Sequence, residues 1–102
     1  MAKKKIGWTP RAYQDHLNIL DYWINRTKSK KYSKKLNRLF NESIDLIAKY
    51  PEIGKPTDLS GVKAKVVRNY LIIYQEGPDS IELLTIWDSR RNPDKLEKRL
   101  KK

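Results

Sequence analysis

The hydrophobic residues near the start of the chain repeat with the period of a helix. The apolar positions at i, i+4, i+7 and i+11 are Tyr13, Leu17, Leu20 and Ile24. Such spacing places them on one helical face. Thr9 and Pro10 stand just before this face, as an N-cap and a first helical residue. The pattern therefore predicts a first helix that ends near Lys28.

A second helical face follows after a short basic connection. Its members are Leu36, Leu39, Phe40, Ser43, Ile44 and Ile47. Ser33 is the predicted N-cap, and the helix is predicted to end at Tyr50-Pro51, because the residue before a proline avoids the helical region. Two amphipathic helices joined by a short connection predict a helical hairpin.

From residue 62 onward the period changes to that of a strand. Val62, Ala64 and Val66 alternate with Lys63 and Lys65. This alternation predicts a half-buried strand with the apolar residues toward the core. The two lysines are then expected side by side on the open face of the sheet.

The remaining segments complete a small sheet and add a last helix. Residues 3–8, 70–74 and 81–87 are predicted strands, residues 51–61 a loop, Arg68-Asn69 a turn, and Asn92-Pro93 the start of a helix. The predicted order is β-α-α-β-β-β-α. It indicates an α+β, two-layer domain with the helical hairpin packed on one face of a small antiparallel sheet.

Composition limits the classes of function. The chain has 102 residues, no cysteine and one histidine. We expect one domain over residues 1–102, with no metal and no cofactor, because disulfide, thiolate and multi-histidine zinc sites are excluded. No apolar run approaches the roughly 20 residues of a membrane helix. We therefore expect a cytoplasmic protein with no membrane partner.

The charge is unevenly placed. The chain holds 23 basic and 12 acidic side chains, a formal net charge of +11. Residues 26–38 contain seven cations and no acid, and a second basic block starts at Arg90. Two such blocks in a short chain favour a polyanionic partner, either a nucleic acid or an acidic protein.

The order of elements and several short motifs together resemble the RelE/ParE family of type II toxins. These motifs are Gly54-Lys55-Pro56, Leu59-Ser60-Gly61, Tyr70-Leu71-Ile72-Ile73-Tyr74, Ile81-Glu82-Leu83-Leu84 and Asp88-Ser89-Arg90-Arg91-Asn92-Pro93. The resemblance spans the chain from Trp8 to about Pro93. It implies a small basic toxin that a cognate antitoxin neutralises with an acidic or amphipathic segment.

The resemblance also implies a target and a set of site residues. RelE-like members cleave messenger RNA in the ribosome, and ParE-like members poison DNA gyrase. For RNA cleavage, the metal-independent endoribonuclease residues would be Lys63, Lys65 and Arg90. The candidate residues for binding target or antitoxin, chosen from their place in the predicted sheet and their chemistry, are Arg68, Trp87, Asp88 and Arg91.

Three hypotheses stay open at this point. The lysine pair and Arg90-Arg91, expected on one surface, favour messenger-RNA cleavage. Thr57, Leu71 and Asp88 depart from the nuclease pattern of the family and favour gyrase inhibition. Charge alone fits a basic nucleic-acid-binding module. Trp87 has two alternatives, stacking on a base or covering the core edge. Asp88 is expected to pair with Arg90 or Arg91.

Overall fold

Two long helices pack against a five-stranded sheet in the computed structural model, which describes residues 3–91 and 93–100. The elements are β1 (Lys5–Trp8), α1 (Pro10–Thr27), α2 (Lys31–Lys49), β2 (Lys55–Pro56), β3 (Val62–Val67), β4 (Tyr70–Glu76), β5 (Ser80–Asp88) and α3 (Pro93–Leu100). A single 3₁₀ turn, Pro51–Ile53, follows α2. The predicted α+β class is confirmed, and the short strand β2 is an addition within the predicted loop.

The sheet is mixed rather than wholly antiparallel. Its strand order is β1-β5-β4-β3-β2. The predicted meander of β3, β4 and β5 is antiparallel, but β1 runs parallel to β5, with Lys5 opposite Ser80 and Trp8 opposite Leu83. β1 therefore covers only the first half of β5.

The first helix starts as its sequence predicts. The Thr9 hydroxyl accepts the Ala12 N–H at 3.1 Å and donates to the Leu83 carbonyl at 2.7 Å. This cap satisfies a free helical N–H and fixes the start of α1 beside β5. Pro10 is the first residue of the helix.

The predicted N-cap of the second helix is wrong. α2 begins at Lys31, so Ser33 lies inside its first turn, where it is buried. The Ser33 hydroxyl donates to the Leu20 carbonyl of α1 at 3.1 Å. Ser33 thus joins the two helices of the hairpin. The predicted end at Tyr50-Pro51 is confirmed.

The core lies between the helical hairpin and one face of the sheet. Phe40 of α2 packs edge-on against Tyr70 of β4, with ring centroids 5.7 Å apart. At the boundary of this core, His16 stacks on Trp8 and hydrogen-bonds Asn37 at 2.9 Å. Desolvation keeps the pKa of His16 below its usual value, which favours the neutral imidazole.

The predicted faces of β3 are reversed. Lys63 and Lys65 pair with Tyr74 and Ile72, which belong to the core beneath the helices. Directly opposed residues share a face, so both lysines lie at the margin of the helix-bearing face. The apolar run at the end of β3 makes the alternation ambiguous. Of the residues predicted to point inward, Val62 is buried at 6% exposure but Val66 is 50% exposed, and at that end of β3 Val67 is buried instead, at 6%.

The second face of the sheet is covered in part by α3. Leu96 and Leu100 line a groove of about 150 Å³ together with Ala64, Leu71 and Ile73. Asn92, the predicted partner of Pro93 at the start of this helix, lies outside the described residues. None of the helices formed by described residues is long and apolar enough to cross a membrane.

Candidate target-binding site

Lys63 belongs to a small ion-pair network at one end of the sheet. Its ammonium lies 3.5 Å from the Glu76 carboxylate, which also binds the Lys4 ammonium at 2.8 Å. Lys4 donates a further bond to the Gly77 carbonyl at 2.7 Å. The hydrogen bond from Lys4 is the main cause that lowers the pKa of Glu76. Lys63 therefore helps to join β3, β4 and the start of β1.

Lys65 lies further along β3, opposite Ile72. Its ammonium donates to the Val66 carbonyl at 3.3 Å. The two lysines of the predicted pair thus share a face, but they have different partners.

Asp88 and Arg90 form a bidentate ion pair at the other end of the sheet. The Arg90 side chain donates from Nε at 3.0 Å and from Nη2 at 2.8 Å, and its backbone N–H donates to the same carboxylate at 2.9 Å. Such a forked pair fixes geometry as well as charge. It lowers the pKa of Asp88, chiefly through the side-chain hydrogen bond. The expected pairing of Asp88 with an arginine is confirmed.

Trp87 covers the sheet rather than offering its ring to a base. The side chain is 2% exposed, and it lies opposite Leu71 on the face away from α1 and α2. The Arg91 guanidinium lies over its ring, 4.3 Å from the centroid. Of the two predicted alternatives for Trp87, the structure therefore shows the one in which the ring covers the edge of the core. It makes Arg91 the exposed member of a cation–π pair.

Arg68 lies beside these residues because of a tight turn. It has a left-handed backbone conformation, with φ of 57°, between β3 and β4. The next residue, Asn69, accepts hydrogen bonds at its carbonyl from the Ser89 N–H at 2.8 Å and the Ser89 hydroxyl at 2.7 Å. We call Arg68, Asp88, Arg90 and Arg91 together the arginine end of the sheet.

A cleft of about 290 Å³ opens between α1 and the arginine end. It is lined by Asp15, Asn18, Ile19, Tyr22, Tyr70, Ile86, Asp88, Arg90 and Arg91. Tyr22 is 48% exposed at this cleft, and the buried Tyr70 accepts a hydrogen bond from Trp23 Nε1 at 2.8 Å. The cleft therefore combines an apolar floor with tyrosines and guanidinium groups.

Sequence reasoning missed the tyrosines of the cleft. The available signal was Tyr22, a large aromatic residue of α1 that lies off the apolar stripe of that helix. For Tyr70 the sequence predicts only a place in a central strand, because its neighbours across the cleft come from distant parts of the chain.

Beside the cleft, the Asp15 side chain occupies hydrogen-bonding groups on the part of the β5 edge that β1 leaves unpaired. Beyond Leu83, β1 no longer pairs with β5. There the Asp15 carboxylate accepts the Ile86 N–H at 3.2 Å and the Thr85 hydroxyl. A side chain that occupies edge N–H groups limits pairing with a foreign strand.

The structure does not bring Lys63 and Arg90 together. Lys63 contacts Glu76 at the end of β4, whereas Asp88, the partner of Arg90, lies opposite Tyr70 at its start. Along the sheet, Lys63 lies opposite Tyr74, four positions or about 13 Å from Tyr70 at roughly 3.3 Å per residue, and Lys65 lies opposite Ile72, two positions from it. In residues 3–91 and 93–100, no group of three or more metal-ligating side chains is placed to hold a metal ion.

Comparison with known proteins gives the family. A family model described as the ParE toxin of the type II toxin–antitoxin system parDE matches residues 6–93. A search of curated proteins gives no match.

Two solved structures share the fold. A chromosomal ParDE system from P. aeruginosa is 17% identical, with a TM-score of 0.74 over 84% of this chain and 96% of that chain. The YoeB dimer from Staphylococcus aureus is 15% identical, with a TM-score of 0.59 over 84% of this chain and 97% of that chain. Because the family model spans most of the sequence, the chain belongs to the ParE toxin family of type II toxin–antitoxin systems.

Proposed function

We propose that this toxin arrests growth by binding DNA gyrase through the arginine end and its cleft, without cleaving RNA. The observation that carries the proposal is the separation of the candidate cations. The Lys63 ammonium is held by Glu76 at the end of β4. The Arg90 guanidinium is held by Asp88, which lies opposite Tyr70 at the start of β4.

Metal-independent RNA cleavage places strict demands on geometry. A base, a charge-stabilising cation and an acid must all reach one phosphate, each within hydrogen-bonding distance. Lys63 lies opposite Tyr74, and Asp88, the partner of Arg90, lies opposite Tyr70 on the other side of β4. These two levels of the sheet are four strand positions apart, about 13 Å at roughly 3.3 Å per residue. Lys63, held by Glu76, therefore does not share a phosphate with Arg90 in the described arrangement, and Lys65 is the nearer member of the pair.

A binding surface has no such requirement. Arginine and tyrosine are the residue types that contribute most to protein interfaces, since they combine a large contact area with hydrogen bonding. Arg90 and Arg91 are exposed beside the cleft, and Tyr22 is half-exposed at it. This chemistry supports binding to a protein target.

A supercoiling assay with purified toxin and gyrase tests the proposal. We expect inhibition by the native chain, and its loss in the double variant Arg90→Ala/Arg91→Ala. The matched control is Lys63→Gln/Lys65→Gln, which removes the same charge from β3 and should still inhibit. A native toxin without effect on gyrase at saturation would refute the proposal. Message cleavage that depends on the lysines, detected by primer extension, would favour the nuclease.

We further propose that the antitoxin covers the same arginine end with an acidic segment. Charge complementarity supports this placement, because Arg68, Arg90 and Arg91 cluster there. Arg90→Glu/Arg91→Glu should weaken the complex with the co-expressed antitoxin about tenfold or more. An unchanged dissociation constant would place the antitoxin elsewhere.

A further inference from the structure

A dense group of cations lies at the connection between α1 and α2. Residues 26–38, which we call the hairpin tip, contain no acidic residue. All seven of their cations are exposed: Arg26, Lys28, Lys30, Lys31, Lys34, Lys35 and Arg38. Neither the arginine end nor the cleft includes them.

Four of these cations form a stripe on α2. Lys31, Lys34, Lys35 and Arg38 are spaced at i, i+3, i+4 and i+7, which places them on one side of the helix. Leu36 and Phe40 on the opposite side are fully buried. The packing of α2 therefore directs the cations outward.

The tip cations are available to an external partner. In the part of the chain that the structure describes, Arg38 is the only one of the seven in an ion pair, at 4.0 Å from Glu42. The stripe extends for about 10 Å along the helix, at roughly 1.5 Å per residue. Duplex DNA carries about six phosphate charges over that length. The density of charge on the two surfaces is thus comparable.

The tip lacks the apolar anchors of a protein interface. Among residues 26–38, all of which are described, no large hydrophobic side chain is exposed. Along the chain, the closest exposed aromatic residue is Tyr22, which lines the cleft. Protein interfaces depend on an apolar centre, whereas cations alone suffice to bind a phosphate backbone. The tip therefore fits a nucleic acid better than an acidic protein.

We propose that the hairpin tip binds the phosphate backbone of duplex DNA. The choice of DNA over RNA rests on the proposed function, because gyrase acts on duplex DNA. The placement of the tip supports this role. Trp23, near the end of α1, hydrogen-bonds Tyr70, and Tyr70 lies opposite Asp88. The tip and the arginine end therefore lie at the same end of the molecule, so one toxin can contact the enzyme and its DNA together.

Fluorescence anisotropy with a labelled 20-base-pair duplex tests this proposal without gyrase. The tip variant is Lys31→Gln/Lys34→Gln/Lys35→Gln. The control, Lys5→Gln/Arg11→Gln/Lys55→Gln, removes three exposed cations from other surfaces. If the tip lysines contact phosphates, the slope of log K against log salt should fall by about 3 in the tip variant. It should change by less than about 1 in the control.

Several outcomes would overturn the proposal. Equal changes in the two triple variants would mean that net charge alone governs binding, and an unchanged slope would exclude the tip. Tip-dependent binding of duplex RNA or polyglutamate, with DNA binding unaffected, would assign the surface to another partner. Thermal melting checks that the variants fold. Each single substitution should give about one third of the change.

Failure of this inference is distinct from failure of the proposed function. A toxin that inhibits gyrase, but whose DNA binding is independent of the tip, refutes only the DNA contact. A toxin that binds DNA through the tip but leaves gyrase active refutes only the proposed target.

Discussion

Gly54 allows the loop after α2 to approach a buried tyrosine. Its φ is −73°, so a left-handed conformation is not the reason for a glycine here. The Tyr74 side chain is fully buried, and its hydroxyl accepts the Gly54 N–H at 3.0 Å and donates to the Pro51 carbonyl at 2.5 Å. The loop is thus held against the core by one phenol group.

Substitution of Gly54 by alanine should be strongly destabilising. A Cβ atom at this position would overlap the Tyr74 hydroxyl and lie 2.9 Å from ring atoms Cε1 and Cζ. Overpacking of this kind costs about 1–3 kcal/mol. A displaced hydroxyl also leaves the Gly54 N–H and the Pro51 carbonyl without their partner, at roughly 1 kcal/mol each. We therefore expect a loss of about 3–5 kcal/mol in the free energy of unfolding.

Urea unfolding measures this loss directly. Domain stabilities are about 5–15 kcal/mol, so Gly54→Ala should remove a large fraction of the total. The control is Gly7→Ala, where the nearest atom to a new Cβ is the Ile81 carbonyl oxygen at 3.8 Å. That change should be neutral within about 0.5 kcal/mol. A Gly54→Ala protein as stable as Gly7→Ala would refute the reasoning, because the loop would then be free to move away from Tyr74.

Substitutions at three other sites have defined outcomes. Because burial lowers the pKa of His16 from 6.5, the unfolded chain takes up a proton first as the pH falls. In urea unfolding, the free energy of unfolding should be fully retained above pH 7 and should decline toward about pH 5. The variant His16→Asn should lack this decline, and a decline retained in the variant would exclude His16 as its cause. Arg68→Gly should raise the melting temperature and increase the free energy of unfolding by about 1 kcal/mol, since glycine adopts positive φ without strain. An equal gain in Arg68→Ala would contradict this reasoning. Asp15→Ala should cost about 1–3 kcal/mol in chemical unfolding by removing the acceptor of the Ile86 N–H, and Asp15→Asn should cost less because its amide oxygen still accepts; equal losses would argue against the edge contact.

The helices could be predicted because their signals are local. Thr9 and Pro10 start α1 where capping chemistry requires it, and Pro51 follows the end of α2. Ser33 shows the limit of such reasoning. A serine near a helix start serves equally well as a cap or as a hydrogen-bond donor to a neighbouring helix, and only the packing of α1 decides between them.

The faces of β3 and the cleft could not be predicted from local patterns. Val66 and Val67 are adjacent valines, so either parity of the strand is compatible with burial. The cleft joins residues that are far apart in the chain, as the contact from Asp15 to Ile86 shows. By contrast, Arg90 and Asp88 are two residues apart, and their pairing was predicted correctly.

The parallel pairing of β1 with β5 affects the order in which the chain can fold during synthesis. Lys5 pairs with Ser80, so the first strand has no partner until 75 further residues have been made. At about 5–20 residues per second, that interval is roughly 4–15 s. The helical hairpin is complete well before then, and its apolar face lacks a sheet to cover it. Arg90 and Arg91 follow the hairpin tip by more than 50 residues in the chain, so a nascent chain presents the tip before these two arginines of the proposed binding surface exist.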